Sequence, residues 1–387
     1  MRRSTSVGLL LVALTLAVGC KVAELTRHAD VVTADSGAVD HPIADSTTSD
    51  SAATDSTATD STATDSTATD STAADSTATD STAPTPTWTS AAPMPNARWQ
   101  LAAASLKGVV YVAGGAVDHG SGWEAPNEIL AYDPSHDAWH TVGHLLEAVR
   151  APAMVALNDR IYIIGGCRDN PFEPITAVQI FDPVTGIVDS GPPLPYGRCA
   201  SAAVVLDGRI HDIGGVYLWD PSDPLFGDAW DAAHHVYDPA AGVWSSAAPL
   251  PFVRGGHGAT VLDGKIYVQG GLGDVLQVYS PADNSWTTLN APKGRFDVAS
   301  VAFEGRMYEF GGSEYQSLCC GGPIPSRTVD RFDPATGTWA LLPPMPTART
   351  GLAAAVVDGT AYVIGGSLSG GASSAVSVVE RYTLPPQ

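Results

Sequence analysis

Short apolar runs punctuate the chain from about residue 88 to its end, as in Arg160-Ile161-Tyr162-Ile163-Ile164 and Lys265-Ile266-Tyr267-Val268-Gln269. Six of them end in glycine doublets: Gly114-Gly115, Gly165-Gly166, Gly214-Gly215, Gly270-Gly271, Gly311-Gly312 and Gly365-Gly366. A ring stands three positions before each doublet, at Tyr111, Tyr162, His211, Tyr267, Tyr308 and Tyr362. Runs this short, alternating and bounded by glycine predict β-strands. A second signature follows each of the first five doublets. An aromatic strand end meets a turn that is Asp-Pro in four of the five repeats, and Trp139, Trp244, Trp286 or Trp339 opens the next strand. Repeat two has Val188 in place of that Trp, and repeat four has Ser280 in place of the Asp. An arginine precedes each first strand: Arg98, Arg150, Arg198, Arg254, Arg295 and Arg349. The doublets recur roughly every 50 residues, a period that marks an array of supersecondary units.

The doublets, the tyrosine before them and the Tyr-Asp-Pro…Trp spacing resemble the kelch family over residues 86–387. The resemblance implies an all-β fold, a six-bladed propeller with four antiparallel strands per blade. The sixth repeat stops at Tyr382 without its turn and Trp. The missing piece stands at the other end, where Trp88-Thr89-Ser90-Ala91-Ala92-Pro93 echoes Trp244-Ser245-Ser246-Ala247-Ala248-Pro249. The N-terminal strand is therefore expected to complete the last blade, which closes the ring and protects its edges.

Residues 1–85 have a different character. Arg2 and Arg3 precede an apolar stretch from Val7 to Val18. That is too short for a bilayer core, which needs about 20 residues, and suits a signal peptide. It ends in Leu16-Ala17-Val18-Gly19-Cys20, which resembles the lipobox of bacterial lipoproteins. The resemblance implies cleavage before Cys20, acylation there and a membrane anchor. Lys21 rather than Asp after the cysteine leans toward the outer membrane or cell surface. Residues 21–85 carry an Asp every five positions from Asp30 to Asp80, with a nearly pure Asp-Ser-Thr-Ala-Thr unit from Asp55. Such a segment has too little apolar area to offset its ordering entropy and reads as a disordered stalk.

Composition sharpens this picture in two ways. Gly and Pro number 39 and 29 of 387 residues, above the usual combined share of about 12% and in keeping with many turns. The net charge is −21 and no segment is basic, so nucleic acid is not an expected partner. No metal or cofactor is expected, and the propeller is expected to be monomeric.

The loops after the doublets, long in blades one, three and five, are the natural carriers of function on a rigid scaffold. With the arginines they are expected to crowd one face. Their candidates for a glycan or protein ligand are Trp123, Arg168, Asp169, Trp219, Asp220, Trp230, Asp231 and Tyr315. Aromatic faces stack on sugars or peptide side chains, and carboxylates accept their hydrogens. The six arginines either bridge backbone carbonyls between blades or hold a ligand carboxylate. After Cys20 four cysteines remain, and an even number in an exported domain suggests disulfides. Cys167 and Cys199 fall on one face of neighbouring blades and form the expected pair, with Cys319 and Cys320 a vicinal one. A binding module is the favoured function. The kelch resemblance also admits an enzyme like the sialic-acid epimerases or, less well, galactose oxidase, whose Tyr, His and Cys set finds no match here. A purely structural scaffold is the third alternative.

Overall fold

The structure is a computed structural model. It describes residues 87–120, 122–169, 172–219, 228–271, 273–315 and 323–385. Residues Pro84–Gln387 form a compact unit. The signal peptide, Cys20 and the stalk lie outside the described residues, as do Asp220, Cys319 and Cys320.

Six four-stranded antiparallel sheets form the blades. Blade one holds Ala102–Leu106, Val109–Ala113, Glu128–Asp133 and Ala138–His144, and blade two Ala153–Leu157, Arg160–Ile164, Val178–Asp182 and Ile187–Ser190. Blade three holds Ala202–Leu206, Arg209–Ile213, His234–Asp238 and Val243–Ser246, and blade four His257–Leu262, Lys265–Gly270, Val275–Ser280 and Ser285–Asn290. Blade five holds Ala299–Phe303, Arg306–Phe310, Val329–Asp333 and Thr338–Leu341. Blade six takes Ala353–Val357, Thr360–Ile364 and Val379–Thr383 from the C-terminus and Trp88–Ala91 from the N-terminal side, with Trp88 opposite Tyr382.

The repeated signatures have local causes. The Asp of each Asp-Pro turn caps it: Asp133, Asp182, Asp238 and Asp333 accept from the amide two residues on. Ser280 is served instead by Asp283, 3.1 Å from its hydroxyl. The following Trp lies against the aromatic strand end, at 5.1 Å in Tyr132–Trp139 and 4.9 Å in Tyr382–Trp88. The indoles of Trp88, Trp139, Trp244 and Trp286 donate to carbonyls beyond their own blades. Blade two, with Val188 there, packs Phe181 over Gly143 of blade one instead; a Cβ on Gly143 would meet that ring at 2.8 Å.

The doublets are needed because neighbouring blades touch at them. A Cβ on Gly165 would stand 2.5 Å from the carbonyl oxygen of Arg198, and both glycines of this doublet have positive φ, +60° and +105°. Only glycine takes this conformation and approach without strain. The core consists of apolar clusters between adjacent blades, such as Tyr111, Ile161 and Phe181.

Candidate functional site

The segment leading into each blade runs across the doublet end. Backbone bonds fix its register. The second glycine of each doublet donates to the next blade: Gly115 to Val149, Gly166 to Arg198, Gly215 to Arg254, Gly271 to Arg295, Gly312 to Arg349 and Gly366 to Arg98. Blade two therefore departs from the expected arginine set. Val149 fills its anchoring slot, and Arg150 is displaced by one residue.

The other five arginines are structural. Arg98, Arg198, Arg254 and Arg349 are fully buried and Arg295 nearly so. Each guanidinium donates to a carbonyl 16 residues on, at Gly114, Gly214, Gly270, Gly311 or Gly365. Sequence reasoning has these side chains bridging between blades. They bind within their own blade, and it is their carbonyls that reach the neighbour. Partners on the same blades complete them: Glu128 for Arg98, His235 and Asp212 for Arg198, Gln277 for Arg254, Asp330 and Glu309 for Arg295, Glu380 for Arg349. Guanidinium groups buried and paired this way hold the scaffold and are withdrawn from the surface. Burial pushes Arg98 and Arg254 down to about 10 and lifts Glu309 to about 7.

Two residues past the anchor slot, a closed ring of backbone bonds forms. Ala151 donates to Gln100, Ala200 to Ala151, Gly256 to Ala200, Asp297 to Gly256, Gly351 to Asp297 and Gln100 to Gly351, over 2.7–3.0 Å. All six residues are left-handed, with φ between 48° and 61°. Four are not glycine, so each carries some strain that the circular bonding must offset.

At this ring lies a cavity of about 460 Å³. Five of the six ring residues line it, together with Trp99, Trp123, Trp230 and Phe296. Trp230 meets Phe296 edge to face at 5.3 Å. The Arg150 guanidinium lies 4.7 Å from the Trp123 ring and 5.8 Å from Trp99. The Gln100 side-chain amide is 3.4 Å from the Asp297 carboxylate. Aromatic walls with a few convergent polar groups are the usual chemistry of a small-ligand pocket.

Of the sequence candidates, Arg150, Trp123 and Trp230 meet in this cavity. Arg168 stands apart on a half-exposed hairpin, paired with Glu147 and Glu173. Asp231 binds scaffold, accepting from Tyr196 at 2.6 Å and lying 3.5 Å from Arg198. Asp169, Trp219 and Tyr315 lie on the hairpin strands Cys167–Asp169, Val216–Trp219 and Ser313–Tyr315, but their side chains are outside the described residues. Hairpins follow the doublets of blades one, two, three and five, so blade two joins the three long-loop blades. Sequence reasoning missed Trp99, Gln100, Phe296 and Asp297. Their signal is position, one or two residues after each anchor slot. A disulfide joins Cys167 to Cys199, with Cα atoms 5.5 Å apart, and Cys199 lines the cavity. Cys167 exchanges two backbone bonds with Arg150. Among the described residues no three His, Cys, Asp or Glu side chains group to hold a metal ion.

A kelch-motif profile matches residues 149–195, 294–346 and 348–384, and a second kelch-motif profile matches 253–293. The chain is 26% identical over 267 residues to Kelch-like protein 23 of Homo sapiens, covering 66% of this chain and 43% of that protein. It is 30% identical over 185 residues to Kelch-like protein 35 of Mus musculus, covering 48% and 29%. Kelch-like protein terF of Aspergillus terreus is 27% identical over 259 residues, covering 60% and 54%. The match thus spans less than half of the first two relatives. Among solved structures, that of YjhT superposes with a TM-score of 0.63 at 14% identity, covering 74% of this chain and 95% of that one. Repeats, register and relatives agree, and the chain belongs to the kelch-repeat family, folded as a six-bladed propeller.

Proposed function

We propose that this protein is an exported, lipid-anchored binding module that holds a sugar unit of a glycan in the mouth of its propeller. One observation carries the reading: a cavity of about 460 Å³ walled by Trp99, Trp123, Trp230 and Phe296, with Arg150, Asp297 and Gln100 among its polar groups. Indole and phenyl faces cover the apolar faces of a sugar ring, and the polar groups meet its hydroxyls. The lipobox-like Cys20 and the acidic segment behind it support an anchor and a spacer at the bacterial envelope. Multiple acyl chains would make that attachment stable.

A protein partner is the second reading, since kelch propellers suit protein interaction. Trp123, Tyr217 and Phe252 are each more than 40% exposed at the doublet end and would present an apolar rim to it.

A thermal-shift screen of the purified chain against neutral, amino and acidic sugars tests the first reading. A ligand at 100 times its Kd adds about 2.7 kcal/mol, a visible shift. Shifts lost on Trp230→Ala place the site in the mouth. No shift from any sugar removes the glycan reading and leaves the protein partner. Turnover of a bound sugar would instead make the protein a kelch-type enzyme. For the anchor, Cys20→Ser should move the protein from the membrane fraction to the soluble one; unchanged partitioning would defeat lipidation.

A further inference from the structure

One junction of the hydrogen-bonded ring is built differently from the other five. In blades one, three, four, five and six a buried arginine stands two residues before the ring residue and fastens the lead-in segment to its own blade. Before Ala151 that slot holds Val149, whose side chain can donate no such bond. The Cys167–Cys199 disulfide stands at this junction. Cys167 exchanges two backbone bonds with Arg150, next to ring residue Ala151, and Cys199 directly precedes ring residue Ala200. Ala151 also packs against the apolar cluster that the two cysteines form with Val216. The ring bond from the Ala200 amide to the Ala151 carbonyl, 2.9 Å long, thus joins the two segments that the disulfide ties together. Both of its residues are left-handed alanines, with φ of 48° and 52°. A side chain makes that conformation strained, and strained backbone persists only while its surroundings hold it there.

The two cysteines differ in access. Cys199 lines the cavity beside Ala151 and Ala200, whereas Cys167 is fully buried and stands outside the lining. We propose that this disulfide is a redox site worked from the cavity, and that its reduction opens the ring between Ala151 and Ala200. The reductant is a dithiol. One of its thiolates bonds to the Cys199 sulfur, the bond between the two cysteines breaks, and Cys167 leaves as a thiolate that takes up a proton. The second thiolate of the reductant then bonds to the reductant sulfur of this mixed disulfide. That step releases Cys199, which is protonated in turn. The dithiol ends as a disulfide, and its two electrons and two protons end on the cysteines. Without the clasp, neither an arginine nor a covalent bond holds Ala151 in its left-handed state. The wall of Arg150, Ala151, Cys199, Ala200 and Val216 then relaxes, so the mouth keeps its shape only in the oxidised protein. The device goes beyond the ligand reading above and acts whether the mouth receives a sugar or a protein.

Hydrogen exchange of the full chain, with dithiothreitol as the reductant, tests the opening. Peptide mapping after alkylation reports the state of each cysteine separately. Below the melting temperature of the reduced chain, the Ala200 amide should exchange at least about tenfold faster after reduction, while Arg306–Phe310 of blade five keeps its rate. The double variant Cys167→Ser with Cys199→Ser should show the same pattern without reductant. Ala151→Gly with Ala200→Gly removes the strain, so reduction should then speed the Ala200 position by no more than about threefold. For access, Cys167→Ala and Cys199→Ala each leave one cysteine of the pair. Iodoacetamide should alkylate Cys199 at least about tenfold faster than Cys167. An Ala200 amide that ignores reduction, equal acceleration in all six blades, or a glycine variant that responds like the parent overturns the ring opening. Alkylation that is equal at the two cysteines, or faster at Cys167, overturns the route through the cavity. No ligand enters these measurements, so their failure leaves the sugar reading standing.

Discussion

His211, His234, His235 and His257 are all buried. Two of them face each other, His211 Nδ1 and His234 Nε2 being 2.8 Å apart, so at most one proton is shared between those atoms. Burial pushes His211 and His235 down to about 4, and His234 and His257 to about 3. An unfolded chain takes up protons near pH 6.5 that the folded one refuses. The stability these residues contribute is therefore complete above about pH 6.5 and is lost as pH falls toward 4 and then 3. Glu309 works the other way. Its folded pKa is raised to about 7 by burial, so it costs stability as pH climbs from the ordinary carboxylate range to about 7. The four histidines outnumber it, and the net slope is acid-labile below pH 6.5. At the position of His211 the other five blades carry Tyr. His211→Tyr should flatten the acid limb between pH 6.5 and 4 by about 1.4 kcal/mol per pH unit for each histidine that stops titrating. Urea midpoints measured across that range would show it; an unaltered slope would mean the histidines protonate without unfolding.

Between elements, three devices fix a blade in place: the doublet in contact with the next lead-in segment and the Trp indole bond tie it to its neighbours, and the arginine anchor ties its lead-in segment to its own blade. Blade two lacks two of them, since Val149 replaces the arginine and Val188 the Trp. The same blade carries the covalent clasp from Cys167 to Cys199, with a sequence separation of 32. In the chain-entropy account a loop of that size is worth about 3–4 kcal/mol. Replacing both cysteines by Ala should lower stability by about that amount, read as a drop in the urea midpoint under non-reducing conditions. Hydrogen exchange should rise first in Ala153–Leu157 and Arg160–Ile164 of blade two. Equal loosening of all six blades would show that the clasp acts on the unfolded chain and does nothing local.

The ring as a whole closes at one seam. Blade six is assembled from both ends of the propeller, and its outermost strand is held by four residue pairs, Trp88 to Tyr382 through Ala91 to Val379. Trp88 also stacks on Tyr382, meets Phe310 at 6.0 Å and donates to the Pro343 carbonyl at 2.9 Å. Without this strand, Val379–Thr383 would become an open edge, and blades five and six would lose a shared apolar contact. Trp88→Ala should cost about 3 kcal/mol, and a chain lacking residues 1–91 should aggregate or unfold at lower temperature. If that truncated chain melts like the parent, the seam is dispensable. Slow closure is also expected of the folding reaction, because the last pairing joins residues almost 300 positions apart.

The strand pattern, the number of blades and the closing strand follow from sequence alone, because each is a local rule repeated. Alternating apolar runs make strands, Asp-Pro caps a turn, and a doublet permits close approach. The sixth repeat supplies three strands of its blade, and Trp88–Ala91, which repeats the missing Trp strand, supplies the fourth. The arginines show where such reading stops. Six arginines at similar spacing look alike on the page, yet a one-residue difference separates Arg150 in the cavity from five buried anchors. Only the register of backbone bonds reveals that step, since a shift by one residue changes the face on which a side chain emerges. Trp99, Gln100, Phe296 and Asp297 lack any motif of their own. They form a site because six lead-in segments, drawn from as far apart as residues 100 and 351, meet in one hydrogen-bonded ring. That meeting is a property of the closed propeller, and the tertiary structure alone decides which side chains it brings together.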